Sequence, residues 1–437
     1  MLKTLRNAWR IEEIRKRILF TLLILVLVRL GCAIPTPGVN PQYFSAWFAS
    51  QTGSSFNFFD VMTGGSFMSQ SIFALNITPY ITSSIIMQLL AIAIPALEEM
   101  SKDETGKQRI NDITRYLTVV LALIESTAMT IGFGRYGLLN DYTWYNVAVA
   151  SITMTAGSIL LMWFGEKITD KGIGNGISMI LTFNILASMP SDIAGLFNTY
   201  VIGKPVWQGI LATIIIVAAF LALIAFTVQL CGGERRLPIQ YSSKIQGRRS
   251  FGGQSTNMPI KVNTAGVIPV IFASSLLSLP MMIGSFAGVS TSSTAGKILA
   301  FFTTSYWCDP EHPIYSLGLI LYVVLIIVFA YFYTSITYNP IEVSKNLTKA
   351  GGVIPGIRPG KPTSDYLNHI LNYLVFFGAV GLIIIAIIPI ILSGVLNLSK
   401  MAFTGTSLII IVGVCIETLN QIESMMRVRN YSGFLND

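Results

Sequence analysis

Residue types that carry out acid–base or metal chemistry are scarce in this sequence. Its 437 residues include two histidines, His312 and His369, and four scattered cysteines without the spacing of a metal site. The sequence contains no HExxH or GxSxG motif, and no aspartate pair lies within an apolar block. The GIGNG turn at 172–176 lacks the Lys-Ser/Thr that follows in a phosphate-binding loop. We therefore predict a protein without catalytic residues, metal or cofactor, which is not an enzyme.

Three ionisable side chains lie inside apolar blocks that are long enough to cross a membrane. Arg29 and Glu417 lie near the ends of their blocks, and only Glu125 lies deep. Secondary transporters place ionisable groups near the middle of the membrane, so Glu125 keeps a transporter of a small solute open as an alternative. The other interpretation is a buried acid whose hydrogen bonds come from neighbouring hydroxyl groups.

Composition and block length indicate the class of protein to which these residues belong. Hydrophobic residues make up 52% of the chain and charged residues 11%, whereas soluble domains contain about 25% charged residues. The mean hydropathy is +0.64. The apolar residues form blocks of about 20, the length that spans ~30 Å of hydrocarbon. These observations predict an all-α polytopic membrane protein.

Ten apolar blocks separated by polar breaks are predicted as membrane-spanning helices. They are Ile18–Ile34, Ile72–Ile94, Leu117–Phe133, Val147–Phe164, Ile173–Met189, Trp207–Cys231, Ala265–Phe286, Ile314–Tyr338, Ile370–Leu392 and Thr404–Leu419. This arrangement places 24 lysines and arginines on the side that holds both termini and 4 on the other side. Because lysine and arginine collect in cytosolic loops, we predict that both termini and the long basic loops are cytosolic.

Two cytosolic loops are longer than a connection between membrane helices requires. They span 232–262 and 339–365, and loops of this length usually carry function. In the second, VIPGIRPGKP combines prolines that fix φ with glycines that permit turns, so Arg358 is predicted at a stiff tip. A rigidly held arginine suits a carboxylate or phosphate on a large partner. The alternative is a loop that is merely solvated.

The segment DVMTGGSFMSQSIFALNITPY, residues 60–80, differs from the blocks around it. It is too polar and too rich in glycine to cross a bilayer unaided, yet too apolar for an ordinary water-exposed loop. Backbone that does not span is tolerated at membrane depth only where it is buried in protein or lines a water-filled cavity. This segment directly precedes the most apolar part of the second block.

Four stretches of the sequence resemble signature sequences of the bacterial SecY family, whose members form the channel of the general protein-translocation complex. They are FNFFDVMTGGSFMSQSIFALNITPYITSSIIMQLL (56–90), GIGNGIS (172–178), QSTNMPIKVNTAGVIPVIFASSLLSLP (254–280) and VIPGIRPGKPT (353–363). The resemblance runs from the first predicted span to the tenth, in the expected order and spacing.

The resemblance implies ten helices in two halves of five, related by an inverted pseudo-repeat and closed around an hourglass pore. The halves would be residues 1–190 and 191–437. A plug helix, which we name the plug segment, would occupy about 58–71 and fold back into the outer funnel. Its implied residues are Phe59, Met62, Gly64, Gly65 and Phe67.

The resemblance also implies a ring of aliphatic side chains that closes the pore. By motif, the ring would consist of Ile77 and Ile81 from the second span, Leu181 and Ile185 from the fifth, Ile271 from the seventh and Ile410 from the tenth. Leu181 departs from the usual isoleucine but keeps its volume and apolar character. Both same-helix pairs are spaced i, i+4 and are expected on one face.

A lateral gate is implied between the second and seventh spans. Its polar side chains would be Thr78, Thr82, Gln88, Ser274, Ser275 and Ser278. Hydrogen bonds between membrane helices contribute about 0.6 kcal/mol each on average, so these side chains would hold a seam only weakly. The alternative is that small polar residues simply pack membrane helices together.

The resemblance further implies the function and the partners. The chain would pass unfolded secretory polypeptides across the bacterial inner membrane and release membrane-protein helices into lipid. Its partners would be signal peptides, nascent chains and the small subunits SecE and SecG. The motor ATPase SecA and the ribosome would bind Arg248, Arg249 and Arg358, which match the family's binding loops. Arginine would pair there with ribosomal RNA phosphates or motor carboxylates.

Overall fold

The computed structural model describes residues 2–50, 60, 63–134, 137, 139–200, 206–241, 245–246, 249–250, 255–286, 294–302, 307, 313–395 and 405–432. The α-helices are α1 Leu2–Arg10, α2 Glu12–Cys32, α3 Pro41–Ser50, α4 Thr78–Ala93, α5 Pro95–Lys102, α6 Glu104–Gly134, α7 Trp144–Lys171, α8 Gly176–Tyr200, α9 Val206–Gly232, α10 Ile268–Phe286, α11 Thr294–Ala300, α12 Leu317–Thr337, α13 Pro340–Lys349, α14 Lys361–Val395 and α15 Gly405–Ser432. The strands are β1 Glu234–Tyr241, β2 Ile245–Gln246, β3 Arg249–Ser250, β4 Ser255–Lys261 and β5 Gly352–Val353.

Each of the ten predicted spans coincides with one helix, namely α2, α4, α6, α7, α8, α9, α10, α12, α14 and α15. Among the residues that the structure describes, six stretches in α6, α7, α9, α12–α13, α14 and α15 are long and apolar enough to cross a membrane, and the most apolar reaches a mean hydropathy of 3.0. Helices α4 and α5 form a pair bent by 109°. The predicted class of a polytopic helical membrane protein is therefore confirmed.

Each half of the chain buries its own apolar core. In the first half, Phe44, Met129 and Met154 are buried in a cluster that joins α3, α6 and α7. In the second half, Ile326 and Leu382 belong to a cluster that joins α10, α12, α14 and α15. The predicted boundary at residues 190 and 191 falls inside α8, next to a proline.

The second span starts later than the sequence predicted. Helix α4 begins at Thr78 rather than at Ile72, and the residues between form turns. Two features prevent a helix there. The N–H of Ile72 donates to the Ile34 carbonyl at 3.0 Å, and Asn76 has a φ of +51°. The chain after α2 thus pairs with the chain before α4, and asparagine tolerates the left-handed conformation that follows.

The two long loops that the sequence predicts to be cytosolic form one small sheet, which the all-helical prediction missed. Strand β1 lies between β4 and β5, so the order is β4-β1-β5 and both pairs are antiparallel. In β1, Leu237 and Ile239 are buried while their neighbours are not, which is the two-residue period of a half-buried strand. We name this element the cytosolic sheet. Strands β2 and β3 form a separate pair.

The cytosolic sheet is fixed to the start of α14. Leu237 of β1 and Ile260 of β4 pack against Leu367 and Leu371 of α14. Helix α14 begins at Lys361, so it extends beyond the predicted span into the second loop. Both loops are therefore attached to the same membrane helix.

Candidate functional site

Five of the six side chains predicted for the pore ring lie in one apolar cluster. They are Ile81, Leu181, Ile185, Ile271 and Ile410. Leu181, Ile185 and Ile410 are at most 4% exposed, and Ile81 and Ile271 are partly buried against them. We name this set, together with its further members, the central cluster. It is built by α4 and α8 from the first half and by α10 and α15 from the second half.

Ile77 does not join the central cluster. It is 0% exposed and packs with Ile24 and Val28 of α2 in a neighbouring cluster. Ile77 precedes the first residue of α4, and its carbonyl accepts a hydrogen bond from the N–H of Ile81 at 3.0 Å. Because α4 begins only at Thr78, Ile77 does not share a helical face with Ile81 as the spacing suggested. Ile81 contacts both clusters.

The central cluster includes four residues that the sequence prediction missed. They are Met179, Val267, Ile411 and Val414. One of them was detectable from spacing, because Val414 lies four residues after Ile410 on α15 and residues four apart on a helix lie on the same face. Val267 lies in the turn just before α10 and contacts the cluster from there.

The chemistry of the central cluster is entirely apolar. All of its members are Ile, Leu, Val or Met, so it offers neither charge nor a side-chain donor to hold an ion. Narrow passages lined by such side chains gate by dewetting.

The described part of the plug segment is a helical turn at Asp60 and Thr63 followed by tight turns from Gly64 to Gln70. A carboxylate oxygen of Asp60 accepts a hydrogen bond from the Met68 N–H at 2.8 Å and closes the loop. Burial raises the pKa of Asp60, and the Met68 N–H acts in the opposite direction. The predicted plug residues Phe59 and Met62 lie outside the described residues.

The plug segment is held in the first half by apolar packing and by hydrogen bonds, one of which joins the Thr36 N–H to the Gln70 carbonyl. Phe67 is buried and packs edge-to-face against Phe44, with the ring centroids 5.8 Å apart. Arg29 of α2 donates from Nη1 to the Gly64 carbonyl oxygen at 2.7 Å. Gly64 has a φ of +66°, and a Cβ there would lie 2.8 Å from the Asn184 carbonyl oxygen. Gly65 also has a positive φ, +84°, but faces open space.

Three of the five hydroxyls predicted for the lateral gate bond within their own helices. Thr82 donates to the Thr78 carbonyl at 2.9 Å, Ser274 to the Val270 carbonyl at 2.8 Å and Ser278 to the Ser275 carbonyl at 2.9 Å. Ser274 makes a second such bond to the carbonyl of residue 271, and Nε2 of Gln88 donates to the Ser84 hydroxyl at 3.2 Å. These bonds do not join α4 to α10.

Glu125 lies in α6 without the hydroxyl partners that the sequence suggested. The neighbouring Ser126 hydroxyl is paired with Thr155 at 2.9 Å, and Thr127 donates to the Leu123 carbonyl at 2.6 Å. Within the described part of the chain, no hydrogen bond to Glu125 is found. The expectation of a buried acid satisfied by nearby hydroxyls is therefore wrong for these residues.

Arg358 is exposed on a turn that is fixed at both ends. Its carbonyl accepts a hydrogen bond from the Thr363 hydroxyl at 2.8 Å, and the Ser344 hydroxyl donates to the Gly360 carbonyl at 2.8 Å. Gly356 and Gly360 have φ values of +83° and +101°. Arg248 lies outside the described residues, and the side chain of Arg249, the first residue of β3, is likewise not described.

The GIGNG turn joins the two halves at the start of α8. Its backbone N–H groups find side-chain acceptors on three other helices: Thr21 accepts from Ile173, Thr169 from Gly176 and Gln421 from Gly174, at 3.1, 2.9 and 2.5 Å. Ile173 packs with residues of α1, α2 and α15. At this junction three backbone N–H groups have side-chain acceptors, whereas the central cluster contains only apolar side chains.

Comparisons with known proteins identify similar chains. A family model described as SecY matches residues 71–419. The protein translocase subunit SecY of Streptomyces galbus is 41% identical over 457 aligned residues that cover 100% of both chains. A solved SecY protein, whose plug domain is described as stabilising the closed state of the translocation channel, has a TM-score of 0.64 at 17% identity and covers 94% of this chain and 92% of that chain. Sec61 in a canine ribosome–channel complex from the endoplasmic reticulum has a TM-score of 0.61 at 17% identity, with the same coverage.

Proposed function

The chain belongs to the SecY family, and we propose that it is the protein-conducting channel of a translocase. It moves unfolded secretory polypeptides across the membrane and releases membrane-protein helices sideways into lipid. The observation that carries this proposal is the central cluster, in which apolar side chains from both halves meet. The similarity to SecY subunits over the whole chain supports it.

In this proposal the central cluster is the constriction of the pore. Its apolar side chains exclude water and ions when the halves are closed, since a narrow hydrophobic passage dewets. They also offer no fixed charge or hydrogen-bond donor that would hold a passing polypeptide. An extended chain of any sequence can therefore slide through. Ile77 supports the constriction from outside by packing α4 against α2.

The lateral gate is assigned to the seam between α4 and α10. The hydroxyls of Thr82, Ser274 and Ser278 bond to the backbone of their own helices, so opening the seam breaks none of these hydrogen bonds. A signal sequence or a membrane-protein helix would pass into lipid there. The plug segment would seal the outer side while the seam is shut. Both roles rest on the family's motifs at these positions.

Arg358 and the cytosolic sheet are assigned to partner binding. Energy would come from the motor ATPase SecA or from a translating ribosome, because the chain itself would perform no reaction. The exposed, fixed Arg358 suits carboxylates of the motor or phosphates of ribosomal RNA. The similarity to a channel solved with a ribosome supports the ribosome as a partner. SecE and SecG would complete the complex.

We also infer the location of the chain from its charge distribution. Multiple spans with 24 basic residues on one side suit the inner membrane of a bacterium with both termini in the cytosol. The alternative of a small-solute transporter rested on Glu125 alone, and membership of the SecY family removes its support.

The proposal is tested by site-specific crosslinking from the central cluster. A photoreactive amino acid replaces Ile271 in α10 and, as a matched control, Ile283 in the same helix, which is 66% exposed. A secretory chain stalled during export should crosslink to position 271 and not to position 283. Equal crosslinking at both positions, or none at 271 while export proceeds, would overturn the proposed constriction.

A further inference from the structure

Arg29 is a charged residue inside a membrane helix whose contact lies on the plug segment. Ionisable residues within membrane helices are rare and usually mark a functional contact. Nη1 of Arg29 donates to the Gly64 carbonyl at 2.7 Å, a distance typical of a charge-assisted hydrogen bond. The residue is otherwise exposed, and its partner here is a backbone carbonyl rather than a carboxylate.

The backbone around Gly64 is arranged so that this carbonyl can be reached. The positive φ of Gly64 and its close approach to the Asn184 backbone leave no room for a side chain. The plug segment is therefore wedged between α2, which supplies Arg29, and α8, which supplies Asn184. Glycine at position 64 allows both Arg29 and the Asn184 backbone to approach it, because a Cβ there would lie within 3.2 Å of each.

Polar atoms are buried within the plug segment and among the residues that surround it, which we call its seat. Within the described residues, Gln70 Oε1, Asn184 Oδ1 and Thr36 Oγ1 are buried and have no hydrogen-bond partner. Gln70 belongs to the plug segment itself. Thr36 donates from its N–H to the Gln70 carbonyl, and the Asn184 backbone lies beside Gly64, so Thr36 and Asn184 contact the plug segment directly. The seat therefore combines apolar packing with polar oxygens, and water can bind these oxygens when the plug segment leaves.

We propose that Arg29 is a latch that holds the plug segment in its seat through the Gly64 carbonyl. The buried Phe67 and the Arg29 contact both favour the seated state. Loss of the hydrogen bond from Arg29 to Gly64 is therefore expected to shift the segment towards a displaced state. This inference rests on the proposed channel function and assigns a positioning role to Arg29.

The test compares resting ion flux through the assembled channel complex in liposomes, without cargo. Arg29→Leu should raise the flux about tenfold or more, because a hydrogen bond to a charged group typically biases such an equilibrium by at least that factor. Arg29→Lys, which keeps a charged donor, should give an intermediate flux. Arg17→Leu, the same change at an exposed position near the cytosolic end of α2, should leave the flux at the wild-type level.

A second pair of variants tests the same contact from the plug side. Gly64→Ala should raise the flux because its Cβ meets Asn184, whereas Gly65→Ala, also at a positive φ, faces open space and should raise it less. If Arg29 acts through Gly64, the combined Arg29→Leu and Gly64→Ala effects will be less than the product of the single effects. Multiplicative effects would show that the two residues act separately and would overturn the latch.

The latch and the channel function fail in different ways. If the Arg29→Leu complex shows the same ion flux as the wild type, and the wild-type complex exports its cargo, the latch proposal is wrong. The proposed channel function is then unaffected. A wild-type complex that exports nothing contradicts the channel function itself. If Arg29→Leu does not accumulate in the membrane, Arg29→Lys and Gly64→Ala decide the latch on the same flux measurement.

Discussion

At the scale of single residues, the central cluster depends on being uniformly apolar. Ile271→Asn places an amide within it, so we expect water to enter the constriction and resting ion flux to rise about tenfold or more, since dewetting maintains the seal. Leu276→Asn is the matched control, because this residue lies on the same helix but is 46% exposed. Ion flux in liposomes distinguishes the two. A leak of equal size in both variants would mean that helix damage, not wetting, opens the channel.

A second residue-scale prediction concerns the charge of Arg358. Arg358→Glu should leave the protein inserted in the membrane and stop export driven by the motor, because it reverses the charge that faces the partner's carboxylates. Lys361→Glu makes the same change three residues away. It should retain most export, since an acid at the start of α14 also suits the helix dipole. Motor-driven export into membrane vesicles measures the difference, and normal export by Arg358→Glu would remove its assignment.

At the scale of elements, the GIGNG turn is a junction whose strength can be measured. Gln421→Leu removes the acceptor of the Gly174 N–H and leaves a buried donor unpaired, which costs about 1–3 kcal/mol. We expect a lower midpoint of thermal unfolding for the purified protein. Asn420→Leu, at an exposed position on the same helix, should change the midpoint little. Equal midpoints for Gln421→Leu and the wild type would show that water replaces the side chain at no cost.

The membrane spans were predictable from the sequence, whereas the start of α4 and the cytosolic sheet were not. The ten spans were predictable because block length and hydropathy are local properties of the chain. The late start of α4 was not, since it depends on the pairing of Ile72 with Ile34 across the fold. The cytosolic sheet was missed for the same reason: its strands come from loops about 100 residues apart, as in the pairing of Gln240 with Val353.

The same distinction applies within the candidate site. The family motifs identified five members of the central cluster. They did not identify the contact of Arg29 with Gly64, because a motif does not specify a bond from a side chain to a distant backbone carbonyl. Arg29 was visible as a charge in an apolar helix, yet its partner was not. Ile77 was assigned to the ring by the family's motif. The added expectation that it shares a helical face with Ile81 assumed a helix over both residues, but the helix begins only at Thr78.

At the scale of the whole molecule, the two halves are joined by contacts of different strength. The junction between α8 and α15 has directed hydrogen bonds at the GIGNG turn. The central cluster holds the halves only by apolar contact, and the hydroxyls of Thr82 and Ser274 bond within their own helices. We therefore expect the halves to stay together at α8 and α15 while they part at the seam between α4 and α10.

The free energy needed for that movement can be compared with what a signal sequence provides. Leu or Ile contributes about −0.3 to −0.6 kcal/mol at the centre of a membrane helix. A signal core of ten such residues therefore supplies roughly 3–6 kcal/mol. Moving a two-state gate from mostly shut to mostly open requires about 5.5 kcal/mol of differential binding. Because the two quantities are of the same order, we expect the hydrophobicity of the signal to supply most of the free energy that opens the seam.

This comparison predicts a threshold in export. Signal cores with leucine replaced stepwise by alanine should support export down to a critical hydrophobicity and then lose it steeply over a few residues. The Arg29→Leu channel, whose plug segment is already biased towards the displaced state, should move that threshold to less hydrophobic signals, because part of the opening free energy is no longer required. Export of one mature cargo behind each signal, in both channels, measures the shift. A flat response in the wild-type channel would mean that signal hydrophobicity does not open the seam, and an unchanged threshold in the variant would mean that the plug segment does not share in that equilibrium.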